Sequence, residues 1–158
     1  LDLQMKTKAV FQNKLKGYVI FEQKSKNAPV KVRGHVEKLK PPGKHGFHIH
    51  TFGDLESTDC MKCGGHWNPE NKDHGGRYDE ESHAGDLGNI TANKDGISNF
   101  RFETDKIQIF GDVEKSIIGR SIVIHKDMDD CGKGGHADSL ITGHAGARLD
   151  CAVIGHCK

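Results

Sequence analysis

The stretch Val30-Lys31-Val32-Arg33-Gly34-His35-Val36 alternates apolar and polar side chains, with valines at 30, 32 and 36 on one side and Lys31, Arg33 and His35 on the other. Successive side chains of an extended chain point to opposite faces, so this period of two describes a strand with one face in a core and the other in water. Working outward, similar short runs fall at 6–11, 17–22, 46–50, 86–91, 96–103, 106–110, 116–125 and 151–154. Turn-forming residues separate them, including Pro41-Pro42-Gly43, Asn93-Lys94-Asp95-Gly96 and Gly111-Asp112. No window carries a sustained helical period. The pattern predicts an all-β chain that closes as a barrel or a two-sheet sandwich.

Composition agrees. The 158 residues are 34% hydrophobic with 20 glycines, which suits short strands joined by many turns. The length predicts one domain spanning 1–158, with residues 1–4 read as appended residues or the edge of a processed precursor. A net charge of +1 without a long basic block gives no reason to expect a nucleic acid or an anionic membrane as partner. No stretch approaches the roughly 20 apolar residues that cross a bilayer, and the opening residues are too polar for a secretory signal core. A cytoplasmic chain is therefore expected, with an extracellular one as the alternative left open by the five cysteines and the non-Met start.

Two segments, 51–85 and 126–147, break the strand rhythm and are dominated by Gly, Asp, His, Asn and Lys. Ordering loops this long costs conformational entropy, which metal coordination or a disulfide can offset. The eleven histidines supply the first agent. His48 and His50 are one residue apart, so a strand projects both rings from one face, a two-point grip on a metal that two solvated histidines would also resemble. His66, His74, His83 and Asp86 fall in the first loop and supply three imidazoles and a carboxylate, a donor set that suits tetrahedral zinc. His125 ends the apolar run Ile122-Val123-Ile124 and could reach the first pair from a neighbouring strand.

From about Met5 to Gly155 the chain resembles the copper/zinc superoxide dismutases. The resemblance rests on Gly46-Phe-His-Ile-His50, Gly65-His-Trp-Asn-Pro69, His74-Gly-Gly76, His83-Ala-Gly-Asp-Leu-Gly-Asn89, Gly119-Arg-Ser-Ile-Val-Ile-His125, Gly132-Lys-Gly-Gly135 and Gly143-His-Ala-Gly-Ala-Arg148, in family order. It implies an eight-stranded, immunoglobulin-like Greek-key barrel or sandwich with two long functional loops. It implies a copper ion on His48, His50, His66 and His125 and a zinc ion on His66, His74, His83 and Asp86, with His66 shared. Copper would cycle between two oxidation states to convert superoxide to dioxygen and hydrogen peroxide, with His66 taking up a proton in the reduced half-cycle, while zinc, which has no redox change, serves structure.

By the same resemblance Asp129 links His48 to His74, Arg148 holds the superoxide anion, and Thr142 and Lys133 line its channel. Ile141 stands where the family often has lysine, which implies weaker guidance of the anion. Cys60 and Cys151 match an intrachain disulfide, which leaves Cys63, Cys131 and Cys157, with a Cys63–Cys131 bridge between the loops left open. Phe52, Gly53, Ile118, Gly119 and Ile154 match a homodimer contact, whereas His156 replaces a residue commonly apolar, so a monomer is the alternative. A copper chaperone is a further implied partner. The rival readings are a copper-delivery or metal-storage domain without turnover and a domain that keeps zinc for stability alone.

Overall fold

The computed structural model describes residues 5–158, so the reading of residues 1–4 lies outside the described residues. Nine strands build it: β1 (Met5–Phe11), β2 (Lys16–Gln23), β3 (Val30–Glu37), β4 (Gly43–His50), β5 (Asp86–Ala92), β6 (Ser98–Thr104), β7 (Ser121–His125), β8 (Arg148–Val153) and the short β9 (Gly155–His156). The pairings between these strands are antiparallel, in one sheet ordered β6-β3-β2-β1-β9 and another ordered β5-β4-β7-β8. Strand β3 lies beside β6 rather than beside its chain neighbour β4, the crossing of a Greek key. The sheets meet along two seams, β5 against β6 and β1 against β8. Among the described residues no helix is long and apolar enough to cross a membrane.

Alternation gives the core. Val30, Val32 and Val36 of β3 are fully buried and meet Phe21, Phe47, Ile49, Leu87, Ile122 and Ile124 between the sheets. On β4 and β7 the other face is buried as well, because the loops cover it. His48 pairs with Val123 and His50 with Ser121, so both histidines leave the core side that Phe47 and Ile49 occupy. The 51–85 loop is stitched onto this outer face through Trp67 N–H to Ile49 O (2.8 Å), Ile49 N–H to Gly85 O (2.9 Å) and Thr51 N–H to Gly65 O (3.0 Å). These bonds fix the segment that carries His66 beside His50.

Two expected strands differ. Residues 106–110 have strand alternation, and Ile107 and Ile109 are buried, but the segment joins no ladder beyond one isolated bridge from Gln108 to Ser116. The Gln23 side chain takes its hydrogen bonds instead, accepting from the backbone of Ile109 (2.7 Å) and Phe110 (3.2 Å). Strand β7 begins only at Ser121, because Ile117 and Gly119 bond into turns and the β8–β9 connection. The second loop, as expected, has no strand, but it holds a four-residue helix α1 (Ser139–Thr142).

Candidate metal centre

Seven side chains gather between the outer face of β4–β7 and the covering loop. His48, His50, His66, His74, His83, Asp86 and His125 are all less than a tenth exposed, the most open being His66 at 8%. Their ring orientations follow from what each outer nitrogen faces, because an oxygen acceptor obliges that nitrogen to carry the proton and leaves the other with a lone pair. His48 Nε2–H donates to Asp129 Oδ2 (2.6 Å) and His74 Nε2–H to Asp129 Oδ1 (2.7 Å). His50 Nδ1–H donates to Gly64 O (2.8 Å), and His125 Nδ1–H to Gly146 O (3.1 Å). Lone pairs therefore remain on His48 Nδ1, His50 Nε2 and His125 Nε2, whereas His74 Nδ1 lies 2.9 Å from Asp86 Oδ1 and would give up its proton to a bound cation.

These free nitrogens converge on two places. The donor atoms of His48, His50, His66 and His125 lie within 4.8 Å of one another, with His50 Nε2 and His125 Nε2 only 3.3 Å apart. Around Asp86 Oδ1 stand His66 Nδ1 and His74 Nδ1, each at 2.9 Å, and His83 Nδ1 at 3.3 Å, while His83 Nδ1 is 3.2 Å from His66 Nδ1. A tetrahedral zinc with donors about 2.0 to 2.2 Å away has edges of roughly 3.3 to 3.6 Å. The observed spacings match that figure within a few tenths of an ångström. His48 also belongs to this second group by distance, its Nδ1 being the nitrogen that Asp129 leaves free. His66 belongs to both groups, with Nδ1 2.9 Å from Asp86 Oδ1 and Nε2 buried without a hydrogen-bond partner.

Three buried nitrogens, His48 Nδ1, His66 Nε2 and His74 Nδ1, have no hydrogen-bond partner. Burying such atoms unsatisfied is costly, so the donor sets fit cations that would accept the lone pairs. Protonation follows the same geometry. Burial and the nearby His66 hold the pKa values of His48 and His50 well below the ordinary imidazole value, and burial brings His125 down to about 3. Burial also lowers His66, against the pull of Asp86. Burial opposes a charge on His74, but Asp129 and Asp86 outweigh it and raise its pKa to about 9. Burial likewise opposes the Asp86 anion, and His66, His74 and His83 more than offset it, holding the carboxyl far below its usual range.

Neighbouring groups fix the donors. The second Asp86 oxygen accepts from His83 N–H (2.7 Å) and Gly75 N–H (3.1 Å). Asp129 is pinned by Asn89, whose Oδ1 accepts Asp129 N–H (2.8 Å) and whose Nδ2–H donates to Asp129 O (3.0 Å). Gly143, at φ 74°, passes so close to Asp129 and His74 that any Cβ would strike both. Lys106, absent from the expected site, donates to Asp86 O (2.8 Å), Ser82 Oγ (2.9 Å) and His83 O (3.2 Å) and so ties the end of the loop.

The other expected residues are placed as follows. Half-buried Arg148 donates through Nη1 to Cys60 O (2.9 Å). Thr142 closes α1 and is half-buried, Lys133 is exposed in the turn after Asp130, and Ile141 is 63% exposed. Cys60 and Cys151 are joined as a disulfide, whereas Cys63, Cys131 and Cys157 are free, so the conceivable Cys63–Cys131 bridge is not formed. Of the residues expected at a dimer contact, Phe52 is 59% exposed, but Ile154 is fully buried in the core and has no surface to offer a partner.

A two-sheet β fold carrying two adjoining histidine-rich donor sets, with His66 in both, is compatible with a protein that binds metal ions. The sequence model of the family described as copper/zinc superoxide dismutase (SODC) matches residues 15–154 of the 158. The chain belongs to that family.

Proposed function

We propose that this chain is a superoxide dismutase that converts superoxide to dioxygen and hydrogen peroxide. The observation that carries the reading is the sharing of His66 between two buried donor sets. In this reading His48, His50, His66 and His125 hold copper, and His66, His74, His83 and Asp86 hold zinc. Bound there, copper supplies a one-electron redox couple and zinc a fixed positive charge without redox change.

The protein residues supply the rest. His66 Nε2, buried and unpartnered, is the atom that accepts and returns a proton, while Nδ1 stays on the Asp86 side. Asp129 holds Nε2 of both His48 and His74 and so turns their Nδ1 atoms toward the donor sets. Arg148 presents a permanent cation that orients the anion, and its bond to Cys60 O sets its position. Thr142 forms the opposite wall, and Lys133 draws the anion in from solvent. We assign the exposed Phe52, with Gly53, Ile118 and Gly119, to contact with a second copy.

Loading purified protein with both metals and following superoxide decay tests the reading. Rapid removal is expected with copper and zinc together and none with zinc alone. Stoichiometric copper without turnover would favour delivery or storage.

A further inference from the structure

Cys63 stands beside the disulfide yet outside the metal chemistry. The run Cys60-Met61-Lys62-Cys63 spaces two sulfurs three residues apart in a single 3-10 turn, Met61–Cys63, with Cys60 as its cap. Cys63 N–H donates to Cys60 O (3.1 Å), closing a turn that keeps the two Cα atoms within about 7 Å. A disulfide can bridge up to about that separation. Cys60 is already bonded to Cys151, with their Cα atoms 6.0 Å apart, so the backbone of Cys60 stands within disulfide-compatible Cα reach of two other cysteines. Cys60, Cys63 and Val123 form a buried cluster apart from the main core, with Cys151 packed against it.

The surroundings single out Cys63 among the free thiols. It is fully buried, with Sγ 3.5 Å from Asp54 O, so the disulfide beside it is a nearer sulfur than any reagent in solution. The Cys60 carbonyl that accepts its N–H also accepts Arg148 Nη1–H, which sets a permanent cation next to the turn. The Arg148 cation is in turn favoured by Cys63 and Asp59, against its burial. Cys131 is half-buried in the second loop, where burial and Asp129 push its thiol pKa up. Cys60 also holds φ 64° without being glycine, a conformation that persists only while its surroundings enforce it.

We propose that Cys63 is an internal exchange partner for the Cys60–Cys151 disulfide. The Cys63 thiolate attacks Cys60 Sγ, the Cys60–Cys63 bond forms, and the Cys60–Cys151 bond breaks. Cys151 leaves as a thiolate and takes up the proton that Cys63 released. One disulfide and one thiol stand on each side, so the step needs neither oxidant nor reductant. The exchanged form unties the 51–85 loop from β8 and frees the Cys60 carbonyl to move relative to Arg148. The exchange stands without the proposed dismutase activity; only its effect on turnover rests on that reading.

The test uses the full chain loaded with copper and zinc, held at pH 7 and pH 8, quenched in acid, alkylated and digested. Cleavage after Lys62 puts Cys60 and Cys63 on separate peptides, so mass spectrometry reads a Cys60–Cys63 link directly. The expected result is that link together with an alkylated Cys151, forming about tenfold faster at pH 8 than at pH 7 because the thiolate is the nucleophile. It should vanish in Cys63→Ala, whose fold is checked by its thermal midpoint. Cys60–Cys151 as the sole linkage at both pH values, or rearrangement at undiminished rate in Cys63→Ala, overturns the proposal. Superoxide removal by the exchanged fraction, captured through its free Cys151, is expected to be slower than by the parent form. Unchanged removal would sink the proposed control of Arg148, whereas a parent form without activity would sink the dismutase reading and leave the exchange intact.

Discussion

Arg148 Nη1 donates a 2.9 Å hydrogen bond to the carbonyl oxygen of Cys60, and the sulfur of Cys60 is bonded to Cys151, three residues beyond the arginine on β8. Strand, disulfide and hydrogen bond close a small circuit that sets the guanidinium. The covalent link therefore acts on the position of a charge as well as on stability.

Replacing both cysteines, Cys60→Ser with Cys151→Ser, opens the circuit without leaving Cys60 free to pair with Cys63. The bridge spans a separation of 91 residues, for which chain entropy gives about 4 to 5 kcal/mol. Urea unfolding of the double variant should show a loss of that order, and superoxide removal should fall as well. Full activity in a clearly destabilised variant would show that Arg148 does not depend on the bridge.

Arg148→Ala should slow superoxide removal by roughly tenfold or more, since a fixed cation beside a site raises the encounter rate of an anion. Arg148→Lys should recover part of this, keeping the charge without the planar fork. The parent protein should also slow as ionic strength rises, because a Debye length near 10 Å at 0.1 M screens such guidance. Rates that ignore both substitution and salt would contradict the role given to Arg148.

Asp129 accepts from His48 and His74 with its two oxygens. In Asp129→Asn one oxygen becomes an NH2, which cannot accept, so at least one ring loses its anchor. Affinity for metal should fall by about 10- to 100-fold, measured by chelator competition. Unaltered affinity for both metals would remove Asp129 from the site.

The metal-free protein should be most stable near pH 6.5. His48, His50, His66 and His125 have folded pKa values below the ordinary 6.5, so their contribution is complete above that pH and is lost as pH falls. His74 is shifted the other way, to about 9, so its contribution is complete below pH 6.5 and is lost as pH rises toward 9. Among the buried histidines four act on the acid side and His74 alone on the alkaline side, where exposed His35 adds only a solvent-screened contribution, so the acid limb is steeper. Urea midpoints at pH 5, 6.5 and 8.5 check this; a flat profile would contradict the burial argument.

The sequence made the scaffold readable where side chains carry the signal. Val30, Val32 and Val36 announced a strand, and the histidines and glycines of 51–85 announced a loop held by something other than a core. The ligand grouping became specific through resemblance, since spacing alone does not say that His66 faces both ways. Gly64 O, Gly146 O and Cys60 O were invisible because every residue has a carbonyl. Lys106 looked like any surface lysine, and the alternation at 106–110 suggested a ladder because it does not reveal that a glutamine side chain takes the hydrogen bonds.

Metal stoichiometry in the parent protein and in His66→Ala tests the shared histidine most directly. The account predicts one copper and one zinc per parent chain, and in the variant a loss of affinity for both ions in the same titration. A variant that holds both metals as tightly as the parent would contradict it.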